Sequence, residues 1–176
     1  MIAVAVEACA ITAREESCIG LLDCGMDATN ATAELCRRIV EATSDAVIFA
    51  DREGLIRFWN RGAELVFGYA AAEVMGKSLD IIIPERLRRA HWDAYDRALQ
   101  TGATKYTDRV LTTRSMHKNG SKLYVDLGFG LVKDANGTVL GAFATGRDCT
   151  ARYLAERALK ARVQELETKP PAAGPA

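Results

Sequence analysis

Two histidines, His91 and His117, and five cysteines carry most of the chemical reach of this chain. An imidazole can move a proton near neutral pH, hydrogen-bond through either nitrogen, or ligate a metal. The cysteines stand at 9, 18, 24, 36 and 149, and no CxxC pair occurs among them. Neither a zinc site nor a dithiol redox motif is therefore expected. An odd, scattered set fits a reducing cytoplasm better than a disulfide framework. No glycine-rich phosphate loop appears, and no nucleophile, base and acid gather into a catalytic constellation, so the chain does not read as an enzyme. His117 precedes Lys118-Asn119-Gly120, a turn of the hairpin type, where a solvated side chain is expected. His91 is set differently. It belongs to the stripe Leu87, His91, Ala94, Tyr95, Ala98 and Leu99 of a helix predicted over Glu85 to Gln100, with Gly102 as its stop. Arg88, Arg89, Asp93, Asp96 and Arg97 fall on the other side. His91 should thus point inward, while Trp92 and Arg97, off the stripe, should tolerate substitution without changing the absorption band of a ligand held by His91. A lone histidine on such a stripe is usually a hydrogen-bonded core residue.

The elements around that helix follow from period and punctuation. Ala46 to Ala50 is a short apolar run bounded by Ser44-Asp45 and Asp51, as in a buried strand. Arg52-Glu53-Gly54 is a turn in which glycine can take a positive φ. Leu55 to Trp59 alternates imperfectly and returns as the hairpin partner. Asn60 stands where an N-cap belongs, Ala63, Glu64, Val66 and Phe67 follow at helical spacing, and Gly68 ends the helix. Ala70 to Gly76 forms another short helix. Pro84 then forces Ile83 toward an extended conformation. Beyond the long helix, Tyr106 to Met116, Lys122 to Val132 and Thr138 to Asp148 read as strands joined by Asn-Gly turns. The last is rich in small residues, Gly141, Ala142, Ala144 and Gly146, which leaves room beside the sheet for a ligand or another backbone.

Two amphipathic helices flank these elements. Ala31 to Thr43 carries Leu35, Ile39 and Val40 on one face, with Arg37 and Arg38 opposite. Ala151 to Glu167 carries Ala155, Leu159, Val163 and Leu166. At 176 residues the chain reads as one domain plus flanks. The expected division is a poorly ordered extension over 1–30, with Met26 a natural alternative start. A leading helix covers 31–43, the domain 44–150, a signalling helix 151–168 and a disordered tail 169–176. Lys plus Arg and Asp plus Glu are equal at 23 each, so no basic field favours nucleic acid. No apolar run approaches the roughly 20 residues that span a bilayer. The N-terminus lacks the basic region of a signal peptide. A cytoplasmic protein without membrane attachment is expected.

The stretch from Asp51 through Gly54, Trp59, Asn60, Phe67, Gly68 and Tyr69, followed by Glu73, Gly76 and Pro84, resembles the N-terminal half of a PAS sensor domain. Arg147-Asp148-Cys149-Thr150 is similar to the Asp-x-Thr signature at the exit of that family. The resemblance spans residues 34 to about 153. It implies an α+β fold: a five-stranded antiparallel sheet, short helices and one long helix on one face, and flanking helices at both ends. It also implies a sensory role, with ligands held between sheet and long helix.

The run from Ile83 to Gly102, with Pro84, Arg88, His91 and Tyr95, resembles the proximal helix of bacterial haem-bearing PAS oxygen sensors. That resemblance implies haem b as the cofactor and His91 as the iron ligand. Its pocket would be lined by His91, Tyr95, Arg109, Leu111, Leu127 and Phe143. Those sensors place an oxygen-stabilising arginine on the strand after the long helix, eight residues before the Asn-Gly turn. Here that position is Leu111, and Arg109, two residues earlier, shares its sheet face. An apolar Leu111 would favour CO or NO, or a sealed pocket. Met116, a conceivable sixth ligand, stands so near the turn that packing is its expected role. A photoreactive flavin site would need a cysteine between Cys36 and Cys149, and none occurs. The competing reading is a cofactor-free module for dimerisation or docking. A third is a fragment of a histidine kinase or diguanylate cyclase. A parallel homodimer through the flanking helices is expected, signalling to a partner that the sequence does not name.

Overall fold

Asp51 closes the first hairpin with its own side chain. One carboxylate oxygen accepts from the backbone N–H of Glu53 at 3.1 Å and of Leu55 at 2.9 Å, and the other meets Arg57 at 2.5 Å. Gly54, at φ 74°, completes the turn in the left-handed region. The computed structural model describes residues 28–104 and 109–168. Along them run α1 (Ala28–Ala42), β1 (Ala46–Asp51), β2 (Ile56–Trp59), α2 (Arg61–Phe67), α3 (Ala71–Val74), a 3-10 turn (Leu79–Ile81), α4 (Glu85–Thr101), β3 (Leu111–Met116), β4 (Lys122–Lys133), β5 (Val139–Asp148) and α5 (Thr150–Thr168). The strands form one antiparallel sheet in the order β2-β1-β5-β4-β3.

The fold is the expected α+β architecture. The leading helix begins at Ala28, three residues before the expected start. The strand expected over Tyr106 to Met116 is shorter, beginning at Leu111. Its residues 105–108 lie outside the described residues, as do 1–27 and the expected tail 169–176.

Asn60 joins the elements. It is fully buried, and all four of its hydrogen-bonding capacities are used. Its amide oxygen accepts from Val47 at 2.8 Å and from Ala63 at 2.9 Å, the second contact capping α2. Its amide nitrogen donates to the carbonyls of Val40 at 2.9 Å and Asp45 at 3.0 Å. One side chain thus ties α1, β1 and α2 together. Gly68 ends α2 at φ 77°, with its N–H on the Glu64 carbonyl.

Pairing register decides which side chains meet. Ala46, Ile48 and Ala50 of β1 oppose Gly146, Ala144 and Ala142 of β5, which in turn oppose Leu127, Phe129 and Leu131 of β4. Leu111, Thr113 and Ser115 of β3 oppose Leu127, Val125 and Leu123. Directly paired residues share a face, so these make the inner face of the sheet. With Ile56, Trp59, Phe67, Val74, Leu79, Ile82 and Tyr95 they supply the buried core. A Cβ on Gly146 would come within 2.6 Å of the Leu127 side chain, so that glycine gives Leu127 its space.

Candidate functional site

The site lies where the inner face is made of small residues. Ala50, Ala142 and Ala144 leave the sheet low beneath α4, and two adjoining cavities open there, of about 160 and 440 Å³. The smaller lies against Ile48, Phe67, Leu79, Ile82, Leu87 and Leu127. The larger runs along the second half of α4, past Ala94, Arg97, Ala98 and Thr101, to Leu111 and Leu131. His91, Tyr95, Thr113, Phe129 and Ala142 line both. The larger falls within the range of about 300–1,000 Å³ usual for small-molecule sites.

His91 points inward, as its stripe predicts. Its Nδ1 is buried and has no hydrogen-bond partner. Among the described residues no hydrogen-bond partner reaches that nitrogen. The ring makes aromatic contacts, edge-on to Trp92 with centroids 4.9 Å apart and tilted against Tyr95 at 5.8 Å. Burial holds its pKa below the ordinary imidazole value, and the Asp80 carboxylate offsets part of that effect. The imidazole is therefore neutral at pH 7, with a lone pair available.

Tyr95 lines the cavities with its ring, but its hydroxyl is committed. It donates toward the carbonyls of Asp51, at 2.6 Å, and Ala50, at 3.0 Å, pinning α4 to the end of β1. Burial pushes that phenol up to about 12. Leu111 and Leu127 line the larger and the smaller cavity respectively.

One of the expected lining residues, Arg109, is placed elsewhere, and Phe143 lines the smaller cavity without its ring facing inward. Arg109 is exposed, precedes β3, and lines neither cavity. The ladder starts at Leu111, so the pleat that would carry an inward Arg109 is absent there. Phe143 contributes backbone to the cavity wall, while its ring turns to the opposite face, over Gly130 and across from Phe49. The pleat requires this, since Ala142 and Ala144 on either side of it face inward. Met116 also falls on the outer face, beside Lys122.

Trp92 lies off the stripe and is packed there. Its indole N–H donates to Asp80 at 2.9 Å, and its ring fills the space a Cβ on Gly54 would need, coming within 2.2 Å of that position. Arg97 borders the larger cavity. His117 is half-buried rather than solvated, because its ring covers Gly68. Phe129, unremarked in the sequence, shares the face of Leu127 two residues away, and strand alternation alone would have found it.

Among the described residues no three His, Cys, Asp or Glu side chains gather to hold a metal ion. Cys36 is exposed on α1, and Cys149 is buried at the end of β5, donating to the Tyr124 carbonyl at 3.2 Å. Neither lines the cavities. No described helix is long and apolar enough to cross a membrane. What the site presents is an apolar slot with one neutral, unpartnered imidazole in its wall.

The same architecture occurs in known proteins. The family described as PAS fold matches residues 40–154. An uncharacterized protein of Azorhizobium caulinodans is 30% identical over 149 residues, covering 81% of this chain and 20% of that protein. Sensor protein FixL of Bradyrhizobium diazoefficiens is 26% identical over 136 residues, covering 76% and 25%. Oxygen sensor protein DosP of Escherichia coli is 26% identical over 98 residues, covering 56% and 12%. The chain thus spans a quarter or less of the length of these relatives. The crystal structure of a PAS domain from Colwellia psychrerythraea superposes with a TM-score of 0.60 at 19% identity, covering 68% of this chain and 98% of that one. The sheet order, the helices on its inner face and the match across residues 40–154 agree: this chain belongs to the PAS fold family.

Proposed function

We propose that this domain is a haem-based sensor, with His91 as the axial ligand of haem b in the space between α4 and the sheet. The observation that carries the reading is the buried, unpartnered Nδ1 of His91 in the wall of both cavities. A buried polar atom without a partner is uncommon and asks for a ligand. The residues present fit the group in chemistry. The imidazole is kept neutral by burial, and a neutral imidazole is the ligating form. Leu111, Leu127 and Phe129 give an apolar wall. Bound haem would supply an iron centre for a diatomic gas or an electron. The sensory relatives FixL and DosP support the direction of the reading.

The output is assembly. Leu35 and Ile39 of α1 are 58% and 60% exposed, and Leu159, Val163 and Leu166 of α5 are 65%, 46% and 55% exposed. Apolar strips left this open on both flanking helices suit a homodimer joined through them, passing a change at the site to a downstream signalling protein. The cofactor-free reading keeps the dimer and leaves the cavities to side chains alone.

Titrating the purified chain with hemin tests the first reading. A Soret band saturating at one hemin per chain is expected, and it should be lost or shifted in His91→Ala. No stoichiometric uptake by the wild type, or an unchanged spectrum in the variant, overturns the ligand assignment.

A further inference from the structure

We propose that Thr113 is the second polar anchor of this site, facing His91 across the cavities, and that its hydroxyl selects ligands able to hydrogen-bond there. The inference rests on the haem reading above and names the residue that would discriminate among small ligands.

The inward positions of β3 are Leu111, Thr113 and Ser115. Leu111 is apolar. Ser115 is buried and its hydroxyl is spent, donating to the Ile82 carbonyl at 2.6 Å. Thr113 stands between them, lines both cavities, and its hydroxyl finds no hydrogen-bond partner among the described residues. The other polar side chains near the slot are committed or exposed. The Tyr95 hydroxyl is held by Asp51 and Ala50. Arg114 contributes backbone to the wall. Its guanidinium donates to the Tyr124 hydroxyl at 3.1 Å on the other face of the sheet. Arg97 is exposed. Among the described residues that line both cavities, what remains is one imidazole on the helix wall and one hydroxyl on the sheet wall.

That pairing has a chemical consequence. Threonine is stiff at χ1, so its hydroxyl is held while its methyl joins the apolar wall. A hydroxyl both donates and accepts, and a ligand that covers it without offering a partner forgoes that hydrogen bond. A diatomic gas whose outer atom accepts a hydrogen bond is favoured over one that cannot. This is a weaker, neutral donor than an arginine, so the discrimination is modest, about fivefold for one neutral hydrogen bond.

The test uses the full chain loaded with hemin and reduced to the ferrous state with dithionite, the excess reductant being removed before oxygen is added. In Thr113→Val, an isosteric change, the C–O stretch of the carbon monoxide complex is expected to move to higher frequency, because the field of the hydroxyl is gone. The oxygen dissociation constant should rise about fivefold. Thr113→Ser keeps the hydroxyl and should keep both values. If Thr113→Val binds hemin and matches the wild type in both, the assignment is wrong while the haem reading stands. If Thr113→Ser moves both as far as Thr113→Val, the effect is packing and the assignment is again wrong. Wild type that takes up no hemin overturns both proposals together. Should the valine variant not fold by circular dichroism, Thr113→Ala carries the same comparison.

Discussion

At the scale of residues, three side chains set what this domain can do. His91 is neutral because it is buried, and this has a pH signature. Its folded-state pKa lies below the ordinary value of 6.5, near which the unfolded chain titrates. As pH falls through about 6.5, the unfolded chain takes up the proton first, so acid favours unfolding. The stability at stake is present above 6.5 and is lost down to the lower, folded-state value. The urea midpoint of the ligand-free protein should therefore fall more between pH 7.5 and 5 in wild type than in His91→Phe. Equal slopes would mean that the imidazole is not held neutral by the fold. Asn60 acts through its four hydrogen bonds. Asn60→Ala leaves the N–H groups of Val47 and Ala63 and the carbonyls of Val40 and Asp45 without this partner. A loss of about 3 kcal/mol in urea unfolding is expected. Trp92→Ala should cost about 2 kcal/mol through the lost packing on Gly54 and the lost bond to Asp80. A variant as stable as wild type would restore the surface reading its position on the helical wheel suggests.

At the scale of elements, the exit from the sheet is the best-braced junction. The N–H of Tyr124 donates to the Thr150 hydroxyl at 2.9 Å, and its carbonyl accepts from the Cys149 N–H at 2.9 Å. The side chain of Thr150 thus extends the ladder one step beyond the β4–β5 pairing. Asp148 accepts from the Thr150 N–H at 2.7 Å, Arg152 pairs with Asp126, and Tyr153 stacks on Tyr124 with centroids 3.9 Å apart. Beyond that first turn α5 has no buried residue. Thr150→Ala should lower stability by about 1 kcal/mol. It should also raise amide exchange in the first turn of α5 more than elsewhere, and uniform exchange would argue against a clamp. The Asp-x-Thr pattern was readable in the sequence as a resemblance to the family's exit signature. Its partner Tyr124 was not, since nothing near residue 150 says which strand lies beside it.

At the scale of the whole molecule, α1 and α5 leave apolar strips that the domain does not cover. A homodimer through them predicts that Leu159→Glu combined with Val163→Glu shifts the full chain from dimer to monomer in sedimentation. The urea midpoint should stay within about 0.5 kcal/mol of wild type, because both positions are exposed in the single chain. A variant that remains dimeric, or a wild type that is monomeric, removes α5 from the interface.

The sequence by itself determined the elements, their order and the inward face of α4. These follow from periodicity, capping residues and glycine turns, all of which act over a few residues. It also singled out His91, because a helical stripe has only one inside. Tertiary structure decided the rest. Phe143 and Leu127 look alike as strand residues, and only pairing register puts one ring outside and the other side chain in the cavity. Arg109 was placed by counting along a strand expected from Tyr106, whereas β3 begins at Leu111, beyond Arg109. Trp92 is off the stripe, yet the hairpin turn at Gly54 meets it there. Each of these depends on a contact between segments far apart in the chain. Such contacts are set by how sheet and helix dock, and local propensity carries no record of them.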